Sequence, residues 1–304
     1  MDIIFLFAVF ALAGVGANVF SKLCSNTVRD DSLSKYSLVL IINSIVACIF
    51  FAFSSGFSIS VNGATLIYST VYAFIVALSI VTNVIVYRYA SISNVNVISN
   101  ASGMVCTALV GVFLFSEPLG LMGVLRISVM LIAIFCIFIE QKKHSLVSVE
   151  PDRGDKQGHF LLLTTLIALI SVASCANTVI LKMYALSTQV VNENSFFFFT
   201  NVLLCIGSVV VFLFSCLRKK GEFREALSLF RPKQLCSIAG KTVVSNISSL
   251  ISILIVAKVD MVVFSPVSSA IGIVVGVIGS LLFRERLGIF SYIAVIVSAI
   301  AFIL

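Results

Sequence analysis

Polar side chains recur at helical spacing inside long apolar runs of this sequence, where their chemistry is to bind rather than to react. Between residues 235 and 257, Lys241, Ser245, Ser248, Ser249 and Ser252 follow an i, i+4, i+7, i+8, i+11 pattern and share one helix face, with Asn246 beside them. Ser171, Ser174, Cys175, Thr178 and Lys182 repeat the pattern in an earlier run, next to Asn177. Further stripes are Asn96, Asn100, Gly103 and Thr107; Tyr72, Ser79, Asn83 and Tyr87; and Gly14, Asn18 and Ser21. An amide carries donors and an acceptor that hydrocarbon cannot satisfy. Left against lipid, such groups cost several kcal/mol, so these faces are expected to point into a protein interior or a wet cavity. The candidate substrate-binding residues are therefore Asn18, Asn83, Asn100, Asn177, Lys241, Ser245, Asn246 and Ser249. Asn18, Asn83, Asn100, Asn177, Ser245 and Ser249 are expected to share a central space, with Lys241 near its cytoplasmic mouth attracting anionic groups. The plainer use of such groups is interhelical bonding, at about 0.6 kcal/mol each. Ser268, Gly272, Gly276 and Ser280 fall at every fourth position, a spacing of small residues that predicts tight helix packing.

Nothing is arranged for covalent or acid–base chemistry, so the chain reads as no enzyme. His144 and His159, the only histidines, lie in a polar stretch far from any Ser/Asp or Cys partner arrangement. The eight cysteines form no C-x-x-C pair and no zinc spacing, which predicts small apolar core residues without disulfides or a metal. No Gly-rich phosphate loop follows a strand, and no cofactor is expected. The net charge of +7 comes from Lys and Arg in short connections rather than a basic stripe with interleaved aromatics, which excludes nucleic acid as a partner. No carboxylate falls near the centre of an apolar run. Glu117 and Glu285 stand at run ends, where capping or orienting the next helix is expected, and Lys258 and Asp260 are expected to pair at the outer surface.

The elements that must position these stripes follow from composition. With 60% hydrophobic and 11% charged residues over 304 positions, the chain has less than half the charge of a soluble domain, which is about 25%. Lipid is the solvent that tolerates such a surface. A span needs about 20 predominantly apolar residues. Ten such runs occur, at 3–21, 37–54, 65–87, 93–115, 119–139, 160–181, 195–217, 235–257, 261–283 and 287–304. The first lacks a basic n-region and continues too far for a cleavable signal peptide, so it reads as a span. Phe196 to Phe199 suit a lipid-facing or interfacial stretch. The polar segment 140–159 divides five runs in 1–139 from five in 160–304, giving one all-α polytopic membrane unit in two halves.

The halves repeat. A shift of 168 residues places Gly111, Leu114, Phe115, Glu117, Leu119 and Gly120 on Gly279, Leu282, Phe283, Glu285, Leu287 and Gly288, both reading G-x-x-L-F-x-E-x-L-G. A weaker echo links Ala17, Asn18 and Lys22 with Ala176, Asn177 and Lys182. With five spans per half, the second copy enters from the opposite face, which is a transporter signature. "LFSEPLG", its second copy "LLFRERLG" and Pro266 resemble the EamA-like branch of the drug/metabolite transporter superfamily, over essentially the whole chain. That family commonly places Trp-Gly in its first helix; this chain has Gly14 to Asn18 there and no Trp. The resemblance implies a secondary transporter working by alternating access between inverted repeats. Its cargo is expected to be a small polar or anionic metabolite, driven by gradients or exchange. The alternatives are a lipid-linked sugar or phospholipid flippase, and a non-transporting scaffold subunit.

Orientation follows from Lys and Arg in the connections. Sixteen of the twenty basic residues follow runs 1, 3, 5, 7 and 9, the densest group running from Arg218 to Lys233. Lys182 and Lys258 alone occupy the other side, while Arg126 and Lys241 lie within runs. This bias puts the termini outside a plasma or inner membrane; the family resemblance implies the reverse.

Overall fold

The computed structural model describes residues 3–27, 33–86, 92–145, 156–187, 192–218, 232–282 and 289–303. Within them run ten helices: α1 (Ile3–Thr27), α2 (Leu33–Ser54), α3 (Gly63–Val86), α4 (Ile92–Phe115), α5 (Leu121–Ser145), α6 (Lys156–Ala185), α7 (Glu193–Arg218), α8 (Pro232–Val256), α9 (Met261–Leu282) and α10 (Ile289–Ile303). No strand occurs among the described residues. Four of the described stretches are long and apolar enough to cross a bilayer: Ser34–Ser54, Ala168–Ala185, Glu193–Arg218 and Gln234–Val256. Shorter apolar stretches occupy α1, α3, α4, α5 and α9. A helix is the form such sequences take in lipid, because it satisfies every internal N–H and C=O within one segment.

The segment 140–159 is not wholly a linker, because α5 continues to Ser145 and α6 begins at Lys156. Gln141, Lys142 and Lys143 are good helix formers, so the helix outruns its apolar portion. Apolarity marks where lipid ends, not where the helix does.

The chain divides into two compact units, Met1–Phe74 with Lys182–Leu254, and Ile75–Leu181 with Ile255–Leu304. Each draws helices from both halves of the sequence. In unit 1, α2 packs along α7. There α1 meets α8 through glycines: a Cβ at Gly16 would lie 3.1 Å from Val244, and one at Gly240 would lie 2.8 Å from the Phe20 ring. Asn62 and Asn192 cap α3 and α7, their Oδ1 atoms accepting from the backbone N–H of Thr65 (2.7 Å) and Ser195 (3.0 Å).

In unit 2, α4 packs on α9, α5 on α10, and α9 on α5 and α10. Met104, Met130, Ala133, Ala270, Ile273 and Ala294 form the core between them. The alanines let the backbones approach closely. Pro266 sits inside α9, where the missing N–H leaves the Val262 carbonyl without its intrahelical donor. Three packed pairs, α2 with α7, α4 with α9 and α5 with α10, join helices five apart in the chain.

Candidate functional site

The G-x-x-L-F-x-E-x-L-G junction in unit 2 has a structural explanation. Pro118 disfavours helical conformation at Glu117, and α4 stops at Phe115 with Ser116 in the left-handed region (φ 52°). The chain turns back, the Glu117 N–H donating to the Gly111 carbonyl at 3.2 Å. The buried Glu117 carboxylate then accepts from the Val262 N–H at 3.0 Å, in the first turn of α9. A carboxylate at a helix N-terminus satisfies an orphan donor and offsets the positive end of the dipole. Glu117 thus caps α9 rather than the helix that follows it. Gly111 makes room, since a Cβ there would lie 2.7 Å from Glu117 Oε2. Gly123 does the same toward Val262, at 3.0 Å. The second copy, with Glu285, lies outside the described residues.

Close by in the same unit, a cavity of about 60 Å³ opens between α4, α6 and α9. Thr107, Ser174, Thr178, Ser265, Ser268 and Ser269 supply hydroxyls to its wall; Gly103, Met104 and Phe264 complete it. The α4 and α6 stripes meet here. A Cβ at Gly103 would touch Ser174 Oγ at 3.2 Å. Elsewhere along the same helices the Ser102 and Ser171 hydroxyls bond to each other, so Ser171 joins helices instead of lining space. Ser265 donates to the Met104 carbonyl at 2.9 Å, and Thr178 to the Ser174 carbonyl at 3.2 Å. Ser265 and Ser269 are not among the sequence candidates. Serines flanking a proline inside an apolar run are the signal that could have found them.

The proposed binding residues distribute as follows. Asn177 lies on α6 in unit 2, partly buried, and does not line the cavity; its Oδ1 has no hydrogen-bond partner among the described residues. Lys241, Ser245, Asn246 and Ser249 lie on α8 in unit 1, all partly buried. Ser249 donates to the Ser245 carbonyl at 3.0 Å, which spends its proton on its own helix. The Asn246 Nδ2 is buried without a partner among the described residues. The side chains of Asn18, Asn83 and Asn100 lie outside the described residues. Asn43 on α2, which belongs to none of the polar stripes, bonds through Oδ1 to the Thr242 hydroxyl of α8.

Unit 1 corrects the reading of the phenylalanine run. Phe196 and Phe197 do not face lipid: they are 0% and 3% exposed. Phe196 stacks on Tyr184 at 4.6 Å between ring centroids, and Phe197 on Phe51 at 5.2 Å. Tyr72 packs against Phe196 at 5.2 Å, which takes it out of the α3 polar stripe. The Tyr184 hydroxyl donates to the Asn192 carbonyl at 3.0 Å, accepts from the Asn192 N–H at 3.2 Å and lies 3.2 Å from Thr65 Oγ1. Rings with a polar handle bury well when that handle is bonded, and this one is. Lys258 and Asp260 lie in the turn before α9, both exposed, and form no ion pair among the described residues. The Asp260 carbonyl instead accepts from the N–H groups of Val263 and Phe264 at the start of that helix. The described cysteines are all free thiols, and no His/Cys/Asp/Glu group among the described residues is placed to hold a metal.

Comparison with protein-family models and with curated proteins finds no match. Solved structures do match, 25 chains in all. One, described only as "Crystal structure of protein", has a TM-score of 0.62 and 11% identity, covering 97% of this chain and 94% of its own. At that identity the likeness is one of fold, and it extends over nearly the whole chain. The protein is an all-helical membrane protein whose helical layout has a solved counterpart.

Proposed function

We propose that this protein is a secondary transporter of the EamA-like kind. It spans a plasma or inner membrane ten times as two inverted five-helix repeats, and moves a small polar or anionic metabolite by alternating access. The observation that carries this reading is the packing of helices five apart, α2 with α7, α4 with α9 and α5 with α10. Corresponding members of two five-helix repeats pair in this way when an axis relates the repeats, and the G-x-x-L-F-x-E-x-L-G sequence recurs at the same interval of the helix order. The α4 and α6 polar stripes, which meet in unit 2, and the partly buried polar residues of α8 in unit 1 are hydrogen-bonding groups of the kind such a substrate needs. The charge count favours a cytoplasmic Arg218 to Lys233 segment and external termini.

The test starts from purified full-length protein. A thermal-shift screen against amino acids, sugar phosphates, nucleotide sugars and quaternary amines selects a ligand, whose uptake is then followed into proteoliposomes. Saturable uptake that Asn83→Ala weakens, with the variant still abundant and folded, supports the reading. Movement of a labelled lipid in place of solute replaces it with a flippase, and movement of neither replaces it with a scaffold.

A further inference from the structure

We propose that the hydroxyl-lined cavity of unit 2 binds a small monovalent cation of sodium's size. Its wall takes Thr107 from α4, Ser174 and Thr178 from α6, and Ser265, Ser268 and Ser269 from α9. At about 60 Å³ it is well above the roughly 10–15 Å³ that a single water needs. It therefore admits a small ion together with water.

The hydrogen bonds of two of the six hydroxyls bias the wall toward a cation. A hydroxyl has one proton and two lone pairs. Ser265 has given its proton to the Met104 carbonyl and Thr178 to the Ser174 carbonyl, so both offer only lone pairs to anything else. Neutral oxygens of this kind suit hard cations and offer an anion little. No charged side chain lines the cavity among the described residues. With no carboxylate among the described residues of the wall, a divalent ion would meet a far larger desolvation cost than a monovalent one. A single charge is what this wall favours. The N-terminus of α9, one turn before Ser265, carries a positive dipole end that opposes a cation. Glu117, with its carboxylate 3.0 Å from the Val262 N–H, supplies the offsetting negative charge at that end.

The site stands independently of transport; where the chain is a transporter as proposed above, this ion is its coupling ion. The experiment uses full-length protein purified without sodium and titrated with NaCl, with choline chloride holding ionic strength constant. Thermal unfolding is the readout, because a ligand of the folded state raises its unfolding temperature. The expected result is a saturable rise with NaCl and a much smaller one with KCl. Ser268→Ala and Thr178→Val should raise the NaCl midpoint at least ten-fold, while Ser128→Ala, at an exposed position on α5, leaves it unchanged. Sodium NMR line broadening on the unaltered protein, reversed by lithium, gives a second reading should either variant fail to fold. An equal, non-saturating rise with all three chlorides, or unchanged midpoints in both cavity variants, overturns the proposal and leaves a water-filled cavity. A sodium response in protein that moves no solute upholds the site and removes transport. An active transporter with no sodium response overturns the site alone.

Discussion

The two units use the same kinds of polar residue and reach opposite results. In unit 1 the hydroxyls of Tyr184, Thr65, Ser69 and Ser195 all bond to one another or to backbone, joining α3, α7, the end of α6 and the connection between α2 and α3. The rings of Phe51, Tyr72, Tyr184, Phe196 and Phe197 fill the space around them. In unit 2 a comparable set of hydroxyls surrounds open volume, because only Met104 and Phe264 in its wall are large and the rest are Gly103, serines and threonines. Side-chain volume next to a polar group decides whether that group becomes a bond or a site. Spacing along the helix does not distinguish the two.

Removing volume from unit 1 is the most damaging way to test this difference. Tyr184 is 1% exposed, so Tyr184→Ala should cost about 4 kcal/mol, as large aromatic truncations in packed cores do. Tyr184→Phe keeps the ring and removes only the hydroxyl hub, at about 1 kcal/mol. Unfolding in mixed detergent micelles separates the two; equal losses would show that the hydroxyl, not the ring, holds this region.

Adding volume to unit 2 is the next largest effect. Gly111→Ala drives a methyl into Glu117 Oε2 and the Met261 side chain, displacing the α9 cap, and should cost about 2 kcal/mol. In a Glu117→Ala background the same glycine change should cost clearly less, since the atom it strikes is gone. A double-mutant cycle read by thermal melting checks this, and additive losses would disconnect the glycine from the cap.

The smallest effect is a control. Gly207 on α7 is exposed, and a Cβ added there would meet nothing within 4 Å. Gly207→Ala should therefore raise stability by about 0.5 kcal/mol through helix propensity alone. A loss in hydrogen-exchange protection along α7 would reveal a contact that the isolated chain does not contain.

Much of the helical character is legible in the sequence because a long apolar run favours a helix; each apolar run overlaps a described helix, and four described stretches are long and apolar enough to cross a bilayer. The ends are less legible. Gln141 to Lys143 are polar yet helical, and a search for apolar runs stops short of them. The wall of the unit 2 cavity is half legible, although its described lining includes none of the candidate binding residues named from the sequence. Gly103, Thr107, Ser174 and Thr178 stand in stripes whose polarity already points them inward, and they do line one cavity. Ser265 and Ser269 are hidden because the small-residue spacing of α9, which speaks for packing, is the stronger pattern there. Phe196 and Phe197 mislead for a related reason: aromatic clusters at a helix start occur both at interfaces and in cores, and only the partners, Tyr184 and Phe51, tell them apart. The role of Glu117 needs three dimensions, since the helix it caps begins at Met261, far along the chain.

The proposed transporter requires the two halves to be oriented oppositely in the membrane, and one topology measurement addresses this directly. Gly120 and Gly288 close the two copies of the repeated sequence, one following four helices and the other following nine. Paired cytoplasmic and external reporters fused after each residue should place Gly120 outside and Gly288 in the cytoplasm. Opposite sides with the reverse assignment would keep the inverted repeat and flip only the orientation that the charge count gives. Both reporters on the same side would contradict the inverted repeat, and with it the alternating-access reading.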